Sequence, residues 1–421
     1  MGLLAAETAG AARPVHLVLT RDRVRALKAG SPWLYADALR ELPPARPGAM
    51  ALVKTKDGEI VCKGLYDPGS AIAFRAVAVR ERRLDDALLA ARLERAVALR
   101  ERLFEGADTD GYRLVNGEGD GLPGLVIDRY ATSAVVKLDG AGPAGFYDAG
   151  GVAAAGEGSR GAVLWGAAPT APVVFRENGI RFEADLVAGQ KTAFFLDQRD
   201  NRQRAARFAR GRRVLNLFSY TGGFSVAAGA AGAAHVTSVD IAAPAIASAG
   251  ANWALNGLDP GAHAGVAADA FEFLEAAAAA KEAWDVVIVD PPSFAPNKQS
   301  VPKATASYER VFARAASVTA PGGILALSSC SSHIDSQLFE QARTRAHALL
   351  RLCPFPFGFG GGAGRGCRGG RGPRSRICSS ALGRARRSAS VLGAYGQPED
   401  HPYPAACPEL RYLKFTACAL D

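Results

Sequence analysis

The 421 residues are enough for two or three domains of ~100–200 residues each. With 48% hydrophobic and 22% charged residues the composition is globular, and no uninterrupted apolar stretch reaches the ~18–20 residues of a membrane helix. The net charge of +9 suggests a polyanionic partner, yet eight arginines and no acidic residue between 358 and 390 account for nearly all of it, leaving about +1 for the rest. Seven scattered cysteines, none in C-x-x-C spacing, exclude a disulfide framework and a zinc ribbon. The opening MGLLAAETAG has no basic leader followed by an apolar run, so the expectation is a cytoplasmic protein without a membrane anchor.

Residues 14–80 read as short strands, HLVLT, AMALVKT, EIVCKG and AIAFRAV, separated by Gly48, Asp57-Gly58 and Asp67-Pro68-Gly69 turns. They predict a small, mostly β module. Leu84, Leu88, Leu89, Leu93 and Val97 fall at helical spacing and predict a connecting helix to Phe104. Residues 111–138 read as a hairpin around GEGDGLPG, residues 139–170 carry no usable period, and VVFRENGIRFEADL reads as strand. The charged GQKTAFFLDQRDNR then leads into an Arg-rich helix.

From Arg212 strand and helix alternate, the mark of a parallel sheet covered by helices. The expected strands are 214–218, 235–240, 285–290 and 323–329, with a last one over 411–420, and helices are expected over 244–256 and 271–283. Residues 353–390, with ten glycines between 358 and 390, have neither period. They fit an Arg/Gly arm, an idle surface loop, or a GC-rich gene read locally out of frame; the return of pattern after Val391 favours the last.

The chemistry concentrates at strand ends. In VLNLFSYTGGFSV, Gly222 and Gly223 allow a ligand to approach the backbone where a strand turns into a helix. Asp240 ends the next strand, where a carboxylate can accept hydrogen bonds from two ribose hydroxyls. With no G-x-G-x-x-G present, S-adenosylmethionine fits better than a dinucleotide. Asp269 is expected to end the third strand and meet the adenine. After the fourth strand Asp290-Pro291-Pro292-Ser293-Phe294 forms a rigid loop that can hydrogen-bond and stack on a flat base. Cys330 closes the strand GGILALSS at the same edge, where a thiolate could add to carbon 6 of a pyrimidine and activate carbon 5. Cys62, Cys407 and Cys418 lie in strand-like segments and read as core.

Together these stretches resemble the large-subunit ribosomal RNA methyltransferase I family. SPWLYADAL and GLYDPGS resemble its PUA domain, and VLNLFSYTGGFSV, VDPPSFAPNK, SSCSS and DHPYPAACPELRYLKF resemble its later signatures. The resemblance implies an α/β fold: a Rossmann-like class I methyltransferase domain over 201–421, preceded by a PUA-like RNA-binding domain over 1–83 and a central α/β segment over 84–200. It implies S-adenosylmethionine as cofactor, held by Gln198, Phe218, Ser219, Tyr220, Thr221, Gly222, Gly223, Asp240, Asp269 and Asp290, with Lys191 and Arg199 in the segment before. It implies catalysis by Cys330 and Asp290 on a cytosine of 23S ribosomal RNA or a large-subunit precursor, with Pro291, Pro292, Phe294 and Lys298 at the substrate. Methylation of another base or atom, and a non-catalytic RNA-binding relic, are the alternatives; monomer or homodimer stays open.

Overall fold

A computed structural model describes Leu4 and residues 13–20, 22–79, 81, 83–147, 162–187, 189, 192–352 and 389–421. Lys191, most of the Arg/Gly run and the cysteines at 353, 367 and 378 lie outside the described residues. The N-terminal module comprises β1 (Val15–Val18), α1 (Val24–Lys28), β2 (Trp33–Leu34), β3 (Ala49–Lys54), β4 (Ile60–Tyr66) and β5 (Phe74–Ala78). Its sheet runs β1-β3-β4-β5-β2, with β1 and β3 parallel and the other neighbours antiparallel. Leu17, Val53, Cys62 and Phe74 meet in its core. Two-residue β2 leaves no period to read; it exists because Trp33 and Leu34 pair with Arg75 and Phe74.

The predicted connecting helix is α2 (Asp86–Phe104), and the Asp85 carboxylate caps it by accepting from the Leu88 amide at 3.0 Å. The expected hairpin is a three-stranded meander of β6 (Gly111–Asn116), β7 (Leu125–Tyr130) and β8 (Ser133–Leu138). α3 (Ala141–Phe146) follows in the stretch that showed no period. β9 (Val173–Glu177) and β10 (Ile180–Ala184) form a hairpin through Asn178 and Gly179, both at positive φ as a tight two-residue turn requires.

The rest of the described chain consists of α4 (Arg199–Ala206), β11 (Arg213–Leu217), α5 (Gly223–Ala230), β12 (His235–Asp240), α6 (Ala243–Leu255), β13 (His263–Ala267), α7 (Ala270–Ala279), β14 (Trp284–Val289), α8 (Val301–Ser317), β15 (Thr319–Ser329), α9 (Ser336–Leu352), β16 (Ala389–Tyr395) and β17 (Lys414–Leu420). The seven-stranded sheet runs β13-β12-β11-β14-β15-β17-β16; β13 through β15 are parallel and β17 runs against β15. Alternation divides each strand between two cores: Leu217, Val239, Val289 and Leu327 face one, Val214, Val236, Ile288 and Ala326 the other. Such strands read as continuous apolar runs because both faces are covered.

Several expected boundaries change, and β15 starts at Thr319, four residues before the expected 323. β11 stops at Leu217 because Phe218 turns to φ +59°, and β17 starts at Lys414 because residues 408–410 form a tight helical turn. α7 ends at Ala279, before Lys281 at φ +59°. Cys62 and Cys418 are buried in strands, whereas buried Cys407 precedes the turn at Pro408 rather than occupying a strand. No helix among the described residues is long and apolar enough to cross a membrane.

Candidate active site

β11 and β14 are adjacent where the order of connections reverses, so the loops leaving their carboxyl ends open on one crevice. The first loop is strained: Phe218, Tyr220 and Gly222 have φ of +59°, +47° and +79°. It is tied to β12 by the Ser219 amide donating to the Val239 carbonyl at 3.0 Å and the Tyr220 amide donating to Asp240 Oδ2 at 2.9 Å. Asp240 Oδ1 accepts from the Ala242 amide at 2.9 Å, which fixes the carboxylate while each oxygen retains a lone pair for a ligand. Among the described residues, Ser219 Oγ and Thr221 Oγ1 are buried without a hydrogen-bond partner. Buried hydroxyls left unmatched are costly in a folded chain, which leaves both open to a polar ligand.

The close backbone approach expected at Gly222 is used by the protein itself. A Cβ there would lie 2.7 Å from the Ala249 Cβ on α6, and Gly223 packs against Arg202 and Phe194. Asp269 differs from expectation. β13 ends at Ala267, and Asp269 caps α7 instead, its Oδ1 accepting from the amides of Phe271 and Glu272 at 2.8 and 3.1 Å.

On the other side of the crevice, Asp290 follows β14, and its Oδ1 accepts from Gln198 Nε2 at 2.8 Å. The same amide nitrogen donates to Ser328 Oγ at 2.9 Å, and Gln198 Oε1 accepts from Asn201 Nδ2 at 2.7 Å. Gln198 thus joins the segment before α4 to the ends of β14 and β15. Burial raises the Asp290 carboxyl to about 6; the Ser328 hydroxyl, Arg202 and Gln198 oppose the rise, and the Asp197 charge adds to it. Phe294 packs edge-on to Phe218 with ring centres 6.4 Å apart and lies 4.9 Å from the Tyr308 ring.

Cys330 is partly buried immediately after β15, and its thiol donates to the Pro291 carbonyl at 3.9 Å. The thiol and the D-P-P loop therefore meet directly. A hydroxyl chain fixes this junction: Ser293 Oγ to Ser331 Oγ, Ser331 Oγ to Tyr308 OH and Ser329 Oγ to Tyr308 OH, each at 2.9 Å. Pro291 is buried, Pro292 is exposed, and exposed Lys298 starts a short helical turn with no described contact to Asp290 or Cys330. Arg199 faces away from these groups into a bidentate pair with Asp400 at 2.9 and 3.0 Å.

Tyr308, Ser328, Ser331 and Lys414 belong to this arrangement without having been singled out in the sequence. Tyr308 lies on the apolar stripe of α8 with Ala304 and Phe312 and so reads as core. Lys414 did carry a signal, being a cation beside the otherwise apolar run that forms β17.

The model for the PUA-like domain matches residues 17–78, and that for the S-adenosylmethionine-dependent methyltransferase matches residues 161–352. A ribosomal RNA large subunit methyltransferase I of Shewanella denitrificans is 33% identical over 423 residues, covering 95% of this chain and 98% of the relative. The chain belongs to the ribosomal RNA large subunit methyltransferase I family. A ribosomal RNA large subunit methyltransferase of Deinococcus radiodurans is 41% identical over 75% of this chain and 84% of its own. In fold, the chain matches a Streptococcus mutans protein assigned as a SAM-dependent methyltransferase, with TM-score 0.76, 19% identity and coverage of 96% of this chain and 100% of the other.

As a family member the protein is an S-adenosylmethionine-dependent methyltransferase, and the sheet order and the loop after β11 fit that cofactor. Gly222→Ala is expected to cost about 1–2 kcal/mol for the left-handed backbone, with the contact on Ala249 added. It should weaken cofactor binding about tenfold or more by displacing the Ser219–Gly223 loop. Thermal melts and cofactor titration check this; wild-type values in both contradict it.

Proposed function

We propose that the protein methylates carbon 5 of a cytosine in large-subunit (23S) ribosomal RNA through a transient covalent bond to Cys330. The observation that carries the reading is the meeting of the Cys330 thiol with the Asp290-Pro291-Pro292 loop at the edge that carries the cofactor loop. The relatives' names supply the substrate class. Residues 1–83 would hold RNA, 84–200 connect, and 201–421 carry the chemistry.

Ser219, Thr221 and Asp240 are the groups we assign to the cofactor's polar parts, with Phe218, Tyr220, Gly222, Gly223 and Asp269 shaping its surroundings. S-adenosylmethionine supplies an electrophilic methyl on a sulfonium and leaves as the thioether. The Cys330 thiolate adds to carbon 6 of the base, and the displaced electron pair makes carbon 5 nucleophilic. Asp290, held by Gln198, takes the Watson–Crick edge and in its protonated form donates a proton that neutralises the negative charge built up by addition. After carbon 5 is methylated its proton passes to a general base, the electron pair from that bond re-forms the double bond, the thiolate departs, and the proton lent by Asp290 returns to it. Pro291 and Pro292 keep the loop rigid, Phe294 borders the base, and Lys298 meets RNA phosphate.

The proton on Asp290 is lost as pH rises through about 6, so that contribution falls over the same interval. Asp290→Asn is expected to slow methyl transfer by ~10²-fold or more and to erase the titration near pH 6. Single-turnover pH profiles on both proteins test this, and a variant profile that keeps the same step contradicts it.

A further inference from the structure

Lys414 is 6% exposed, and among the described residues no carboxylate lies within ion-pair distance of it. Its Nζ donates to the Ser331 carbonyl at 2.7 Å and to the Tyr412 carbonyl at 2.6 Å. On the sheet Lys414 pairs with Ser329. Lys414 is therefore held on both sides of Cys330 in sequence, its backbone beside Ser329 and its ammonium on the Ser331 carbonyl. Two carbonyl dipoles do not supply the charge that a buried ammonium needs; the charges that favour it are the Cys330 thiolate first and the exposed Asp335 carboxylate second.

We infer that Lys414 is the positioning residue that activates Cys330, its ammonium serving as the counter-charge of the thiolate. The inference rests on the reading of Cys330 as nucleophile and extends it by naming what makes the thiol reactive. Interaction with Cys330 favours the charged amine, and by reciprocity the charged amine favours the thiolate. Burial acts the other way and brings the amine down to about 8, so the charge survives at neutral pH. The other titratable groups around the pair oppose the thiolate or leave it unsupported. Tyr308 carries a neutral hydroxyl in the chain with Ser329 and Ser331, its acidity suppressed by burial. Asp335 is exposed and caps α9 through the Leu338 amide, Asp290 stands one residue before the carbonyl that receives the thiol, and His333 Nδ1 is buried without a partner among the described residues.

The test uses the full chain and iodoacetamide, with alkylation of the Cys330 peptide followed by mass spectrometry as a function of pH. Lys414→Met should raise the midpoint of alkylation by about one pH unit or more, making the reaction about tenfold slower at pH 7, and Lys414→Arg should restore most of the rate. Equal midpoints in wild type and a folded Lys414→Met protein overturn the inference. If Lys414→Met does not fold, the reciprocal measurement replaces it: competitive amine labelling of Lys414 in wild type and Cys330→Ala. A lower amine midpoint in Cys330→Ala upholds the pair, and an unchanged midpoint overturns it. Methyl transfer retained by Cys330→Ala would remove the nucleophile reading while these midpoints still decide the pairing.

Discussion

Cys330→Ala should abolish methyl transfer, with a loss of ~10⁴-fold or more, while leaving cofactor affinity within about twofold of wild type. The separation follows from position. Cys330 follows β15 and touches the D-P-P loop, whereas the hydroxyls and carboxylate assigned to the cofactor belong to the loop after β11 and the end of β12. Removing one partly buried sulfur leaves the Ser293–Ser331–Tyr308–Ser329 hydroxyl chain intact, so the strand end keeps its place. A methyltransferase directed at a ring nitrogen needs no thiol, because the nitrogen lone pair is already nucleophilic. Single-turnover transfer beside calorimetric titration of the cofactor checks both halves; a variant within tenfold of the wild-type rate contradicts the thiol mechanism. RNA carrying 5-fluorocytidine gives a second readout. Carbon 5 then bears no proton to lose, so the adduct to wild-type protein should persist through denaturation and should be absent from the alanine variant.

Asp400→Ala is expected to lower stability by about 3–5 kcal/mol, the largest single loss outside the chemical site. Asp400 is fully buried and forms the bidentate pair with Arg199, itself nearly buried and stacked over the Phe104 ring at 4.8 Å. Its Oδ2 also accepts from the Arg113 amide at 2.9 Å, and its carbonyl accepts from Arg100 Nη2 at 2.7 Å. Truncation takes the bidentate partner from a buried guanidinium, leaving it Asp200 at 3.3 Å. It removes the side-chain ties to α4 and the Arg113 amide of β6, while the main-chain bond to Arg100 on α2 remains. Burial alone would raise the Asp400 carboxyl, but His401 and Arg199 hold it well below the usual range. A depressed carboxyl stabilises the fold above its unfolded value of about 3.9, and that stabilisation is lost as pH falls below it. Urea melts of wild type and variant should therefore differ most at neutral pH and converge below about pH 4. Arg199→Met combined with Asp400→Leu should recover part of the loss; equal stability of wild type and Asp400→Ala would contradict the pairing.

The catalytic sheet was legible because parallel strands covered on both faces leave unbroken apolar runs such as VVIV, bounded by glycine and proline. The placement of Asp240, Asp290 and Cys330 was legible for the same reason, since each stands where an apolar run ends abruptly. What escaped depends on contacts that the hydrophobic pattern does not encode, some local and some distant in sequence. Asp269 looks the same in sequence whether it ends a strand or caps a helix, and the outcome was set by the amides of Phe271 and Glu272. β2 has two residues, and β16 lies beside β17 next to the aperiodic Arg/Gly run. Lys414 is adjacent to the site only because β17 runs back against β15, a pairing across 85 residues that no local pattern encodes. Gln198 was named from the resemblance, but its bonds to Asp290 and Ser328 span 92 and 130 residues and were not readable.

The most direct test of cytosine-C5 methylation uses purified protein, unmodified large-subunit ribosomal RNA and S-adenosylmethionine labelled in its methyl group, followed by digestion of the RNA to nucleosides. The account predicts that the label elutes as 5-methylcytidine and vanishes with Cys330→Ala. Label in any other nucleoside, or 5-methylcytidine formed undiminished by the alanine variant, would contradict it.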